Sequence, residues 1–495
     1  MRGKAFSILA VALLALGQHS TALAQLAVQS SAPNTAPTTL EQRVRAVLAA
    51  APPGTRFGVL VTRADGSVVV AIDPDQRFIP ASNTKLFTTA LALARLPGLV
   101  PGTRVRLDAG AHGRRDVVLL GRGDPRMSSA PDCTVSCLST LADAVAQETR
   151  SVGHVIGDAT LFPDQRWSPG MSWNNIGTDS GTAVSALSLD DNELPIVVTP
   201  TAPGQPPAIT VSPYLTVINQ AQTVASGPRA LQFEAAVNGR TVRVYGRIPV
   251  GEPYRDRLGI DDPALYAAWT FKRMLAERGV RVRGDARSRY RPAKTDGVID
   301  DGTEQRQPVS ATVRPDDLAA LDPSSLLEDV VIINKVSQNL HAELLLRRVA
   351  LEDGSGSLAD GAAAMQALLA GAGVPRAGYD FSDGSGLSSY NRVSPRATVA
   401  LLHWAKGQPW GANWRASLPL GGTDGTLRRR FSGTPLAGNI QAKTGTLNAT
   451  NALGGYFRGA SGGELIFAIY ANDVPGGQSA LAAMDQALVL IAAAN

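Results

Sequence analysis

A serine and a lysine three residues apart, Ser82 and Lys85, open the apolar run Leu86-Phe87-Thr88-Thr89-Ala90-Leu91. At the start of a helix that spacing puts both side chains on one face, within reach of each other. A neutral lysine amine there can take the serine's proton, which makes a nucleophile without histidine. None of the other lysines (Lys4, Lys272, Lys294, Lys335, Lys406, Lys443) has a serine three residues before it. Serine-x-x-lysine alone also describes an ordinary helix start, so its weight depends on what accompanies it.

Two further clusters accompany it. Lys443-Thr444-Gly445-Thr446 follows Asn439-Ile440-Gln441-Ala442 and precedes a predicted hairpin. On a strand edge Lys443 and Thr444 can offer a cation and a hydroxyl to a carboxylate. Gly445 allows a substrate backbone to approach closely, and the Thr446 N–H can face a developing oxyanion. The pattern serine-x-asparagine occurs at Ser172-Trp173-Asn174, Ser337-Gln338-Asn339 and Ser389-Tyr390-Asn391. Ser337 and Asn339 are preferred because they fall inside the predicted helix 326–351, where polar side chains in an apolar setting need partners and a cleft supplies them.

Other chemistries find less support. The histidines after position 100 (His112, His154, His341, His403) show no metal-ligand spacing. Ser385 follows Asp383-Gly384, so the Gly-x-Ser-x-Gly elbow of serine–histidine hydrolases is missing. Asp190-Asp191-Asn192 lacks the rest of a calcium loop and reads as a solvated turn.

In order, Ser-x-x-Lys, Ser-x-Asn and Lys-Thr-Gly form the set of penicillin-binding proteins and serine β-lactamases. The chain resembles the class C low-molecular-mass penicillin-binding proteins, the D-alanyl-D-alanine carboxypeptidase/endopeptidase family. Pro80 to Lys85 resembles the family's nucleophile segment. Gly121-Arg122-Gly123-Asp124-Pro125, Val184 to Leu189, Ser337 to Glu343 and Asp383-Gly384-Ser385-Gly386-Leu387-Ser388 resemble its other signatures. The resemblance covers nearly the whole chain. It implies a serine DD-peptidase acting on peptidoglycan peptides, without a cofactor or metal, and acylated by β-lactams. Ser82 would be the nucleophile, Lys85 its base, Ser337 a proton relay and Asn339 a ligand of a substrate amide. Lys443, Thr444 and Thr446 would receive the terminal carboxylate. Asp158, Phe162 and Arg392 would read the diaminopimelate side chain. Two other readings compete: a serine β-lactamase or esterase of the same fold, and a non-catalytic cell-wall scaffold. Class C β-lactamases usually carry tyrosine where Ser337 stands and lack so long an insert.

The elements that must position these residues follow from periodicity. A helix is predicted over 40–51, then a hairpin, 56–61 with 68–72, turning at Asp65-Gly66. The helix carrying Ser82 should stop at Pro97-Gly98. Short β-rich runs occupy 101–309, interrupted by a helix near 263–278. Helices return at 326–351 and 357–372, then a hairpin, 451–458 with 464–471, and a helix over 479–494 whose stripe of Leu481, Met484, Leu488 and Ile491 should pack on a sheet. The predicted fold is α/β (α+β): a penicillin-binding/β-lactamase-like transpeptidase domain whose antiparallel sheet is flanked by helices. Residues 40–100 and 310–495 build it, and the β-rich region 101–309, divided into two subdomains, is inserted.

The chain opens Met1-Arg2-Gly3-Lys4, runs apolar over 5–16 and reaches Ala22-Leu23-Ala24. That pattern predicts a secretory signal peptide over 1–24, followed by a disordered lead-in over 25–39, and hence export, periplasmic by the family resemblance. No later stretch is long and apolar enough to predict a transmembrane segment. Loss of Arg2 and Lys4 would lower the formal net charge from +5 to +3. With no basic block, a nucleic-acid partner is unsupported. Cys133 and Cys137, four apart in an oxidising compartment, can form a local disulfide or stay unpaired.

Overall fold

Strand Arg56–Arg63 alternates its side chains between two cores, which shows how the central layer is built. Val59 and Val61 join one hydrophobic cluster and Leu60 the other. Strand Glu464–Asn472 does the same: Leu465, Phe467 and Ile469 face one way, Ile466, Ala468 and Tyr470 the other. A strand buried on both faces must be apolar at successive positions, and these are. The computed structural model describes residues 39–293, apart from Asn238 and the side chain of His112, and residues 316–495. The expected signal peptide (1–24), the lead-in up to residue 38 and the expected boundary at 310 lie outside the described residues.

The central sheet has five strands in the order Val68–Ile72, Arg56–Arg63, Glu464–Asn472, Thr450–Arg458, Gln441–Leu447. Every pairing is antiparallel. Helices Leu40–Leu48 and Leu481–Ala493 cover one face. Helix Thr84–Arg95, preceded by the 3-10 turn Ala81–Asn83, covers the other with Asn339–Asp353, Leu358–Gly371 and Pro395–Lys406.

A second five-stranded sheet runs in the order Ala286–Arg291, Val155–Pro163, Arg115–Leu120, Arg104–Ala109, Asp317–Ala320. Asp317–Ala320, beyond the expected boundary at 310, thus pairs with Arg104–Ala109 in the sheet of the intervening region. Two three-stranded sheets from residues 193–259 enclose a small separate core around Ile196, Val242 and Val244. Cys133 and Cys137 are bridged.

The structure overturns two local expectations. The predicted helix 326–351 is two helices, Leu326–Lys335 and Asn339–Asp353. Ser337 breaks it at φ 66°, and the Gln338 side chain caps the second helix by accepting from the Leu340 N–H. Left-handed backbone in a non-glycine residue carries strain, which the surrounding packing holds in place. Asp190-Asp191-Asn192 is also no solvated turn. All three have positive φ. Asp190 accepts from the Ser129 N–H at 2.8 Å, Asp191 pairs with His341 and Asn192 is buried.

Helix Asn339–Asp353 is buried all round because it serves both sides. Ala342, Leu345, Leu346 and Val349 pack into the core of the central sheet, while Leu340 and Leu344 pack into that of the second sheet. His341 locks the junction, bonded to Asp329 through Nδ1 and to Asp191 through Nε2.

Candidate active site

Ser82 sits on the 3-10 turn and Lys85 one turn later, fully buried, with Nζ 3.0 Å from Ser82 Oγ. Lys85 Nζ also donates to Asn339 Oδ1 and to the carbonyl of Ser385, both at 2.6 Å. A neutral amine has two protons and one lone pair. The two short bonds use the protons, so the lone pair is left for the Ser82 hydroxyl. Burial pulls Lys85 down to about 7, against Asp383 and then Glu343, whose charges raise it.

Lys443, on strand Gln441–Leu447, is also fully buried; its Nζ donates to Ser337 Oγ at 2.9 Å and to the Thr444 carbonyl at 3.0 Å. Burial, and then the charge of Lys85, hold Lys443 well below the usual ammonium range. Burial, not Lys443, depresses Lys85, and the lysine–lysine influence falls on Lys443.

The tight fit explains the glycines and the second tier. A Cβ on Gly445 would lie 2.6 Å from the Pro80 carbonyl, so Gly445 lets the strand pass the nucleophile turn, whereas the sequence reading reserves its space for substrate. Asn83 donates from Nδ2 to the Lys443 carbonyl at 2.8 Å, tying the helix to the strand. Gly386, at φ 89°, packs against the Ala81 carbonyl, where a Cβ would come within 1.9 Å. That brings the 383–388 loop, with its Ser385 carbonyl, over Lys85. Glu343 accepts from the N–H groups of Gly384 and Ser385 at 3.0 and 2.8 Å, fixing the loop. Burial, and then Glu343, raise Asp383 to about 6.

A cavity of about 840 Å³ is lined by Ser82, Ser337, Asn339, Thr444 and Thr446. Thr426 and Ser180 also line it. Thr444 Oγ1 donates to Thr426 Oγ1 at 2.7 Å, and Asn339 Nδ2 donates to the Ser180 carbonyl at 2.8 Å. Neither Thr426 nor Ser180 is singled out by sequence, and no motif there marks them. Glu343 and Asp383 lie inside recognised signatures, yet sequence gives them no role because their effect on Lys85 is through space.

Asp158, Phe162 and Arg392 are not among the residues lining this cavity. Asp158 accepts from the Thr160 N–H and hydroxyl and pairs with Arg289 at 2.9 Å. Phe162 is 2 % exposed, in the core of the second sheet. Arg392 donates to the carbonyls of Ser389 and Asn391. Each side chain is engaged by its own neighbours.

Fold and site together match a serine hydrolase in which a buried lysine, Lys85, stands beside the serine. The model of the D-Ala-D-Ala carboxypeptidase 3 (S13) family matches residues 40–495, and the chain belongs to that family. It is 34% identical over 461 residues to a D-alanyl-D-alanine carboxypeptidase of Actinomadura sp. (strain R39), covering 88% of this chain and 80% of the relative. It is 24% identical over 447 residues to D-alanyl-D-alanine carboxypeptidase DacB of Haemophilus influenzae, covering 85% and 86%. The crystal structure of penicillin binding protein 4 (dacB) from Haemophilus influenzae superimposes with a TM-score of 0.76 at 20% identity, covering 90% of this chain and 98% of that one. The chain is a serine-type carboxypeptidase hydrolase with the penicillin-binding fold. Among the described residues no helix is long and apolar enough to cross a membrane, and no cluster of metal-ligating side chains occurs.

Proposed function

We infer that the chain is a DD-peptidase of peptidoglycan, cleaving D-Ala-D-Ala termini and D-Ala–diaminopimelate cross-links through an acyl-enzyme on Ser82. One observation carries this reading: Lys85 Nζ stands 3.0 Å from Ser82 Oγ with both its protons engaged elsewhere. Lys85 takes the Ser82 proton as Oγ attacks the carbonyl carbon. The N–H groups of Ser82 and Thr446 stabilise the oxyanion. The proton passes through Ser337 to the leaving amine, the C–N bond breaks and Ser82 is left acylated. Water, deprotonated by Lys85, then releases the acyl group and restores the serine hydroxyl.

Substrate charge completes the site. Lys443 holds its charge poorly because burial, and then the charge of Lys85, oppose it. An arriving terminal carboxylate favours the ammonium form, so Lys443 becomes cationic when there is an anion to hold. Thr444 and Thr446 supply hydroxyls beside it. We assign the catalytic domain to 40–100 and 310–495 and the insertion to 101–309, with Asp317–Ala320 lending an edge strand to the insertion. Export through the 1–24 segment to the periplasm belongs to the same proposal.

The test is labelling with fluorescent penicillin and digestion of cross-linked muropeptide dimers, each against Ser82→Ala. A persistent label lost in the variant, with dimers cut to monomers, is expected; release of terminal D-Ala alone narrows the activity to carboxypeptidase. Rapid turnover of the penicillin would favour a β-lactamase, and a folded wild type that neither labels nor cleaves would leave a scaffold.

A further inference from the structure

Large apolar side chains cost free energy in water, so their most exposed examples are informative when they cluster. Among the described residues the three most exposed are Trp173 at 75 %, Val336 at 65 % and Tyr390 at 61 %. They lie far apart in sequence, yet each is a residue lining one cavity or is next to one in sequence. Val336 lines the 840 Å³ cavity, Trp173 stands between the lining residues Ser172 and Asn175, and Tyr390 follows the lining residue Ser389.

The segments bearing the two rings are built together. Met171 bridges Ser388, the Ser389 N–H donates to the Gly170 carbonyl at 2.9 Å, and Ser388 Oγ donates to the Pro169 carbonyl at 2.6 Å. Gly170, at φ 76°, has no side chain where a Cβ would fall 2.5 Å from Tyr390 Cγ, so the phenol ring rests on bare backbone. Trp173 opens the 3-10 turn Trp173–Asn175, whose other two residues are asparagines. The groups beside the rings are mostly hydroxyls and amides, Ser172, Asn174, Asn175 and Ser389, with the Arg392 guanidinium bound to the Ser389 carbonyl.

Flat rings with mostly neutral hydrogen-bonding neighbours match a pyranose, which offers an apolar face of C–H bonds and a rim of hydroxyl and acetamido groups. We propose that Trp173 and Tyr390 form a subsite for the N-acetylated sugar that carries the stem peptide. The cavity holds the peptide end while the rim holds the glycan end, so the enzyme prefers peptides still attached to their glycan. This rests on the DD-peptidase reading, because a continuous peptide-to-sugar substrate is what joins rim to cavity.

The full chain is assayed on a disaccharide-pentapeptide and on the same pentapeptide without sugar, and the quantity read is the ratio of the two kcat/KM values. Trp173→Ala and Tyr390→Ala should each lower that ratio about tenfold, the size expected when a stacking aromatic contact is truncated. Trp173→Phe and Tyr390→Phe, which keep a ring, should restore most of it. Thermal melts confirm that each variant is folded. A ratio unchanged in the alanine variants, or a parallel fall on both substrates, overturns the proposal. If the wild type cleaves neither substrate, the peptidase reading fails. The subsite is then decided by titrating the Ser82→Ala protein with peptide-free glycan oligomers and following tryptophan fluorescence. Quenching that Trp173→Phe abolishes supports the subsite, and quenching by an aryl-substituted penicillin but not by glycan refutes it.

Discussion

Lys85 must be neutral to take the Ser82 proton, and burial brings it to about 7. The second-order rate of acylation by a penicillin should therefore follow the neutral fraction of that amine. Between pH 5 and pH 7 the fraction rises about 50-fold, and between pH 7 and pH 9 only about twofold more. The penicillin carboxylate stays ionised throughout, so the limb belongs to the enzyme. Stopped-flow labelling across pH 5–9 gives the profile. A lysine at the ordinary value of about 10.4 would instead drive the rate up tenfold per unit without a plateau. That result, or a flat profile, refutes the assignment of Lys85 as base. The sign can be tested separately. Glu343 raises Lys85, so Glu343→Gln should move the limb to lower pH. A move to higher pH would mean that Glu343 acts on another group.

Three other expectations follow from the same geometry. Unfolded lysine keeps its proton to about 10.5 and folded Lys85 only to about 7, so stability is lowest below pH 7 and recovers as pH rises between those values. Lys85→Met removes that cost, about 5 kcal/mol, but leaves the Asn339 and Ser385 oxygens without a donor at about 1–3 kcal/mol each. Urea melts should show Lys85→Met more favourable, relative to the wild type, by about 4 kcal/mol at pH 6 than near pH 10.5, and a difference that does not change with pH would contradict it. Burial lowers His341, but Asp329 and Asp191 outweigh it and raise the imidazole to about 9. Its contribution is fully present below about pH 6.5 and is lost as pH rises through about 9. His341→Gln should therefore cost about 3 kcal/mol more at pH 6 than at pH 10, and equal losses would exclude the ion-paired histidine. Gly386→Ala places a methyl 1.9 Å from the Ala81 carbonyl and should slow acylation at least about 100-fold while the fold survives. Wild-type labelling would show that the loop can move without harm.

Local chemistry made much of this protein readable from its sequence. Ser82 with Lys85 is a one-turn spacing, and Lys443-Thr444-Gly445-Thr446 is contiguous on one strand, so no tertiary knowledge is needed to see either. Four of the five strands of the central sheet were legible as two hairpins because two-sided burial demands continuous apolar runs. The helix break at 336–338 was not. Propensity favours helix there, and the positive φ of Ser337 is imposed by packing, which then presents its hydroxyl to Lys443.

What only the tertiary structure decided are effects carried through space. Burial depth sets the Lys85 amine, and two carboxylates distant in sequence oppose it. Ser180 and Thr426 reach the cavity from segments that carry no motif. Asp158 and Phe162 matched a pattern, and only the fold shows that Asp158 pairs with Arg289 and that Phe162 packs in the core of the second sheet. A chemical group is written in the chain, but its solvation and partners are set by segments hundreds of residues away. The sequence could therefore pair the serine with its lysine, and only the fold could bring that amine down to about 7.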